Sequence, residues 1–247
     1  MGFDGAAMAR DAGFDFIEGT VGAILKPAEP EEAFLSALEE VKKSPLPCQA
    51  LNLFIPAHMK ITGSEANLDT LETYCATVFE RAQRAGIAMI VFGSGGARQI
   101  PDGWERGRSQ IVEFLHRIAP EARLHGVTIA IEPLRSAESN IINTVAEGAS
   151  IAREVSASSV RLLVDAYHWA SENESAESIV ENADLLVHAH IATYKNRLLP
   201  GMEATDFAPF FAALREGNYA GGLSIEAGGE RTLETLRTAK AELNLNK

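Results

Sequence analysis

The feature that most limits how this chain can fold is a repeated exchange between two kinds of segment. Short apolar, β-branched runs at 14–21, 48–56, 87–94, 127–134, 160–168, 185–192 and 222–227 alternate with longer amphipathic stretches. Those stretches, rich in Ala, Glu and Arg, lie at 31–43, 68–86, 108–126, 145–155 and 207–218. Strand and helix in strict turn imply parallel pairing, because a parallel neighbour is reached only through a long crossover. Gly86 and Gly126 stand just before apolar runs, where a helix is expected to stop. The runs are almost continuously apolar, as strands covered on both faces are. Together these features predict an α/β fold of the (β/α)8 TIM barrel type, carried by a single domain over residues 1–247.

Seven runs are present where such a barrel has eight strands. The opening segment DGAAMARDAG reads as a helix with no apolar run ahead of it. The expectation is a first strand missing or truncated at the N-terminus, with the gap flanked by 14–21 and 222–227. An open doubly wound sheet is the competing architecture. It calls for a nucleotide fingerprint at a strand–helix turn, and the one glycine-rich turn, Phe92-Gly93-Ser94-Gly95-Gly96-Ala97-Arg98, has neither GxGxxG nor GK[ST]. That turn reads as a tight connection, with amides able to face a bound molecule.

A net charge of −12 without a basic cluster argues against a nucleic-acid partner. No apolar run is long enough to span a membrane, and the first residues lack the pattern of a signal peptide. Cys48 and Cys75 have no metal-ligand or redox spacing, so they read as reduced thiols of a cytoplasmic protein.

Chemistry gathers at the ends of the later runs. Glu132 closes TIAIE, Asp165 closes RLLVD, His190 closes LLVHAH and Glu226 closes GLSIE, each about one strand–helix unit from the last. In a barrel these side chains emerge at one end, the end that carries active sites. Singly, Asp165 reads as a helix cap, His190 as a satisfied core histidine, and either Glu as a loop ion pair. Jointly they place three carboxylates together, which repel one another unless a divalent cation lies between them. The oxygen-rich set with one imidazole suits Mn²⁺, Mg²⁺ or Co²⁺. His168, three residues after Asp165, is a candidate for a substrate contact, a second ligand or a support for Asp165. His188 shares a strand face with His190 and is a further candidate contact. Arg197, Lys195 and Arg98 are candidate cationic contacts for hydroxyls or phosphate. His58 is expected at the surface, while Trp169 and Phe54 are expected to pack in the core or to wall a sugar ring.

At these residues the sequence resembles the sugar phosphate isomerase/epimerase family with the xylose-isomerase-like barrel. Its relatives include ketose 3-epimerases, hydroxypyruvate isomerase, inosose dehydratase and the AP endonuclease IV type. The likeness lies in IEPLR, VDAYH, HAHIA, FGSGGAR with IPDGW, and the closing DFAPFFAALREGNYAGGLSIEA, and extends over most of the chain. It implies one metal ion, commonly Mn²⁺, held by Glu132, Asp165, His190 and Glu226. The two glutamates would also be the acid–base pair, with His168 and Arg197 on the sugar. The endonuclease type uses additional histidines, and here Phe92-Gly93-Ser94 and the Ile-Ala-Thr-Tyr after His190 lack them. The resemblance therefore implies a divalent-metal-dependent isomerase or epimerase of a small sugar or sugar phosphate, working through a metal-stabilised enediolate. A dehydratase of a keto-polyol and a non-catalytic sugar-binding barrel are the alternatives. Relatives often assemble as dimers or tetramers, so a homo-oligomer is also implied.

Overall fold

The structure, a computed structural model, describes residues 5–245, so residues 1–4, 246 and 247 of the expected domain lie outside the described residues. Its strands are β1 (Ile17–Thr20), β2 (Cys48–Asn52), β3 (Met89–Phe92), β4 (Thr128–Ile131), β5 (Val160–Asp165), β6 (Leu186–Ile191) and β7 (Gly222–Ile225). They form one sheet in sequence order, each neighbour pair parallel. Helices cross between them: α1 (Ala6–Asp11) before β1, α2 (Val21–Ile24) and α3 (Glu31–Lys43) before β2, and α4 (Leu68–Ala85) before β3. Next come α5 (Gly95–Arg98) and α6 (Gly107–Leu124), then α7 (Val145–Val155), and α8 (Ala166–Ser171) with α9 (Ala176–Val180). The order closes with α10 (Ala208–Glu216) and α11 (Leu233–Leu245).

Local chemistry sets the boundaries. Asn67 caps α4 by accepting the Thr70 amide at 3.0 Å, and Gly86 ends that helix at φ 70°, a conformation costly for residues with a Cβ. Thr144 caps α7 through the Glu147 amide, while the Glu147 carboxylate reaches back to the Asn143 amide. The expected strand over 160–168 is corrected: it ends at Asp165, and Tyr167 and His168 lie on α8. The Asp165 Oδ1 accepts the Tyr167 amide at 2.7 Å, and this cap turns an apolar run into a helix.

Of the three buried apolar clusters among the described residues, two follow from alternation along the strands, one on each face of the sheet. The larger one, which includes Phe34, Phe54, Phe79, Phe92 and Phe114, lies between strands and helices. The smaller, Val91, Ala130 and Leu163, fills the inside of the curved sheet. Two residues along each strand from these inner positions stand Gly93, Glu132 and Asp165, so the same face that packs apolar below turns acidic above.

The sheet is a nearly closed barrel. Among the described residues no strand lies between β1 and β7, and both edges line a cavity of about 310 Å³ with Phe14, Phe16 and Leu236. The gap falls where the sequence places it. Side chains bridge it: Glu18 of β1 bonds to His188 and His190 of β6, and His188 to Ser224 of β7.

One buried cation ties the strand ends to the loop after β4. Arg98 has no exposed surface and donates to the carbonyls of Phe92 (3.1 Å), Glu132 (3.0 Å) and Ile142 (3.3 Å). Burial lowers its pKa to about 10, which still leaves it charged near neutrality. It is a strut for the strand ends, which corrects its candidacy as a substrate contact. Arg98→Met removes the side-chain donor from these carbonyls, leaving those of Phe92 and Ile142 one backbone amide each, and should cost on the order of 3 kcal/mol. A urea midpoint equal to that of the wild type would contradict this role.

Candidate active site

The register of the sheet brings the strand ends together. Asp165 pairs with His190, and His190 with Ser224, while the Glu132 amide bonds to the Phe92 carbonyl and the Glu226 amide to the Ile191 carbonyl. Ligand-type atoms of Glu132, Asp165, His168 and Glu226 all lie within 4.8 Å of one another. His190 joins from the same strand-end layer, its Nδ1 3.1 Å from Glu132 Oε1 and 3.6 Å from Glu226 Oε2. Three residues of the expected metal set, Glu132, Asp165 and Glu226, are thus grouped with His168, while the fourth, His190, adjoins two of them and is itself grouped with Glu18 and His188. Glu132, His168 and Glu226 line a cavity of about 650 Å³, walled also by Thr20, Asn52, Leu53, Glu138 and the glycine turn, with Asp165 and His190 buried behind them. At Gly93 a Cβ would strike the Glu132 carboxylate, so the turn needs glycine there to admit that side chain.

The three carboxylates of the cluster are in unequal states. Burial, and next the charge of Glu226, raises Glu132 above the usual carboxylate range. Burial also lifts Asp165 to about 7, with Glu226 and Glu132 adding to the effect. For Glu226 burial acts upward too, but the hydrogen bond and charge of His190, with Arg197, bring it down to about 2. Burial alone would neutralise His190, yet Glu18, Glu132 and Glu226 hold its pKa well above the ordinary value. Burial and the nearby Arg197 depress His168 to about 3, so it is neutral. Its Nδ1 accepts the Arg135 amide at 3.2 Å, which puts its proton on Nε2. That Nε2 is buried with no hydrogen-bond partner, and so is the Asp165 Oδ2.

An orphaned donor and an orphaned carboxylate oxygen, side by side, ask for a ligand. Asp165 uses Oδ1 for its cap and leaves Oδ2 turned to the site, so capping and cation binding are compatible in one side chain. Glu132, Asp165 and Glu226 with the Nδ1 of His190 fit a divalent cation that prefers oxygen. A second cluster, Glu18, His188 and His190, also has ligand atoms in range. Its ring nitrogens already hold hydrogen bonds to Glu18, and His188 also to Ser224.

Several placements depart from the sequence reading. His188 is buried one layer below and bonded to Glu18 and Ser224, off the cavity wall, which corrects its expected substrate contact. The carboxylates do have a cation nearby: Arg197 bonds to Glu226 and stands 3.6 Å from Asp165 Oδ2 and 3.7 Å from Glu138 Oε1. Lys195 and His58 are exposed. Trp169 packs on Phe210, and Phe54 on Phe79 and Phe92. Sequence reasoning missed Glu18, Asn52 and Glu138. Asn52 donates to Glu226 Oε1 at 2.7 Å, and its own Oδ1 is buried without a partner. A lone Glu or Asn within an apolar strand is the signal that would have found the first two.

Fold and strand ends together define a class: barrels that gather carboxylates and histidine at one mouth. The chain belongs to the xylose isomerase-like TIM barrel family, whose profile matches residues 6–245. It is similar to the L-ribulose 3-epimerase of Methylomonas sp. (strain DH-1), 29% identical over 226 residues, or 90% of this chain and 76% of that protein. It is also similar to the D-psicose 3-epimerase of Agrobacterium fabrum, 32% identical over 116 residues, or 47% of this chain and 40% of that one. These relatives are isomerase-class enzymes, and so is this chain. Among solved structures, the D-psicose 3-epimerase with D-tagatose from Clostridium cellulolyticum H10 superposes with a TM-score of 0.83 at 18% identity, covering 99% of this chain and 92% of that one. The 3-keto-D-glucoside 4-epimerase from E. coli gives 0.82 at 23%, covering 98% and 94%. At such identities the superpositions speak for the fold.

A cation entering this cluster has to displace protons. Below about 7 Asp165 carries one, and the imidazolium of His190 carries another on the atom that faces the site. Divalent-ion affinity should therefore rise with pH, by up to about tenfold per unit for each proton released, and less steeply above the Asp165 value, where His190 still has a proton to lose. Calorimetry in buffers of different ionisation heat reads the protons directly. Affinity independent of pH between about 6 and 8, with no proton release, would contradict these assignments.

Proposed function

We propose that the chain is a divalent-metal-dependent sugar epimerase that inverts a carbon beside the carbonyl of a ketose. The observation that carries this reading is the split between two glutamates on one cavity. Glu132 is raised above the usual carboxylate range while Glu226 is held down at about 2. Paired groups pushed apart by their surroundings are how one site holds an acid and a base together.

In this mechanism Glu226 takes the proton from the carbon next to the carbonyl, and the sugar becomes an enediolate. Glu132 returns a proton to the opposite face, which inverts that centre and leaves the two glutamates with exchanged protonation. Glu132, Asp165, His190 and Glu226 would hold the cation, with Mn²⁺, Mg²⁺ or Co²⁺ matching the donor set. When bound, it polarises the carbonyl and makes the neighbouring C–H more acidic. His168 offers its Nε2–H to a substrate oxygen, and Asn52 holds Glu226 in line through its amide. Arg197 lies across the Tyr167 ring, 5.0 Å from its centre, and reaches the same space.

The wall also speaks to the substrate. Among the described residues Arg197 is the one Lys or Arg lining the cavity, and Glu226, Asp165 and Glu138 already surround it. A phosphate would add negative charge to a wall bearing Glu132, Glu138 and Glu226, so a free ketose fits better than a phosphorylated one. The names of the relatives, 3-epimerases of ribulose and psicose, agree with such a substrate. Two free buried thiols, Cys48 and Cys75, support a cytoplasmic setting, and no described helix is long and apolar enough to cross a membrane.

The test is Mn²⁺-loaded protein incubated with L-ribulose, D-psicose or D-tagatose in D₂O and followed by NMR. Deuterium should appear at the carbon beside the carbonyl together with the epimer. Glu132→Gln and Glu226→Gln should each slow this by about a hundredfold or more while the fold is kept. Full turnover in either variant would refute the acid–base pair, and binding without exchange in the wild type would leave a sugar-binding barrel.

A further inference from the structure

We infer that Glu18 is the positioning residue of the proposed metal site, acting through His190; the inference rests on the cation reading above. Glu18 lies on β1, and its carboxylate crosses the open side of the barrel toward β6. Its Oε1 is 3.0 Å and its Oε2 3.2 Å from His190 Nε2, and Oε2 is 3.0 Å from His188 Nε2. His188 in turn stands 2.9 Å from Ser224 Oγ. The carboxylate is thus fixed from below by one histidine and offered upward to another.

A carboxylate only accepts hydrogen bonds, so the contact at His190 places a proton on Nε2. The remaining nitrogen, Nδ1, then faces Glu132 Oε1 at 3.1 Å and Glu226 Oε2 at 3.6 Å. Glu18 therefore settles two things at once: which nitrogen of His190 is free to bind a cation, and which way the ring is turned. A carboxylate behind a ligating imidazole also strengthens it as a donor. The His190 side chain is fully buried and the ring meets His188 edge-on, so no solvent competes for this arrangement.

A second role is visible in the same contacts, because they tie β1 to β6 where, among the described residues, no strand fills the gap between β1 and β7. A strap and a ligand-orienting group differ in what their loss changes. Loss of a strap lowers stability and leaves the affinity of the folded protein alone. Loss of the orienting carboxylate lowers metal affinity in protein that is still folded.

The experiment measures Mn²⁺ and Co²⁺ affinity by competition with a chelating dye for wild type, Glu18→Gln and Glu18→Ala, alongside melting curves and the visible spectrum of the Co²⁺ form. Glu18→Ala should bind about 10–100-fold more weakly. Glu18→Gln keeps an acceptor for His190 and removes the charge, so it should fall between Glu18→Ala and wild type, with a shifted Co²⁺ spectrum. If Glu18→Ala does not fold, Glu18→Gln carries the test, and a measurable loss of affinity supports the role. Affinity within about twofold of wild type and an unchanged spectrum in the folded variants would overturn it, even with a lower melting temperature. Wild-type protein that binds neither ion would overturn the cation reading as well, whereas tight binding by wild type and variants alike would overturn this inference only.

Discussion

The carboxylates of Glu18, Glu132 and Glu226 meet the two nitrogens of one imidazole, His190, beside the buried carboxylate of Asp165, and the rest of the site depends on how that negative charge is held. Burial disfavours every one of these ions. A raised pKa at Glu132, a near-neutral pKa at Asp165, a raised pKa at His190 and the guanidinium of Arg197 are the ways this chain lowers the repulsion. Under the proposed function, the same repulsion would make the cluster a receptor for a divalent ion and would separate an acid from a base, so that binding and proton transfer follow from one electrostatic conflict.

The barrel makes the conflict inescapable. Parallel order turns every strand end toward one mouth, and alternation puts the acidic residues directly above an apolar layer of Val91, Ala130 and Leu163. The structure around them then removes other ways out. Arg98 occupies the backbone carbonyls at the ends of β3 and β4, Gly93 leaves room for Glu132, and the cap on α8 uses one oxygen of Asp165. What remains free in or just behind the cavity wall, Asp165 Oδ2, His168 Nε2 and Asn52 Oδ1, is buried without hydrogen-bond partners.

The parts legible from sequence are those that repeat. Apolar runs at regular spacing located the seven strands of the described residues, and the last charged residue of each late run put Glu132, Asp165, His190 and Glu226 at or just past the ends of β4 to β7. The run VRLLVDAYH concealed the start of α8, because apolar composition persists across the strand–helix boundary and only the Asp165 cap marks it. Glu18 and Asn52 were hidden by position, each a single polar residue inside a strand, with meaning only once the strands curve and face one another. Arg197 was placed correctly in its loop, yet its contact with Glu226 depends on backbone at φ 52°, which residue type does not reveal. His188 shared its strand face with His190 and was misassigned, since depth within the barrel is not written in alternation.

The most direct test is a crystal grown with Mn²⁺ and measured for anomalous scattering. The expected result is a single peak bounded by Glu132, Asp165, His190 Nδ1 and Glu226, with His190 Nε2 still on Glu18. No peak, or a peak between Glu18, His188 and His190, would contradict the claim that the strand-end carboxylates are built around a cation.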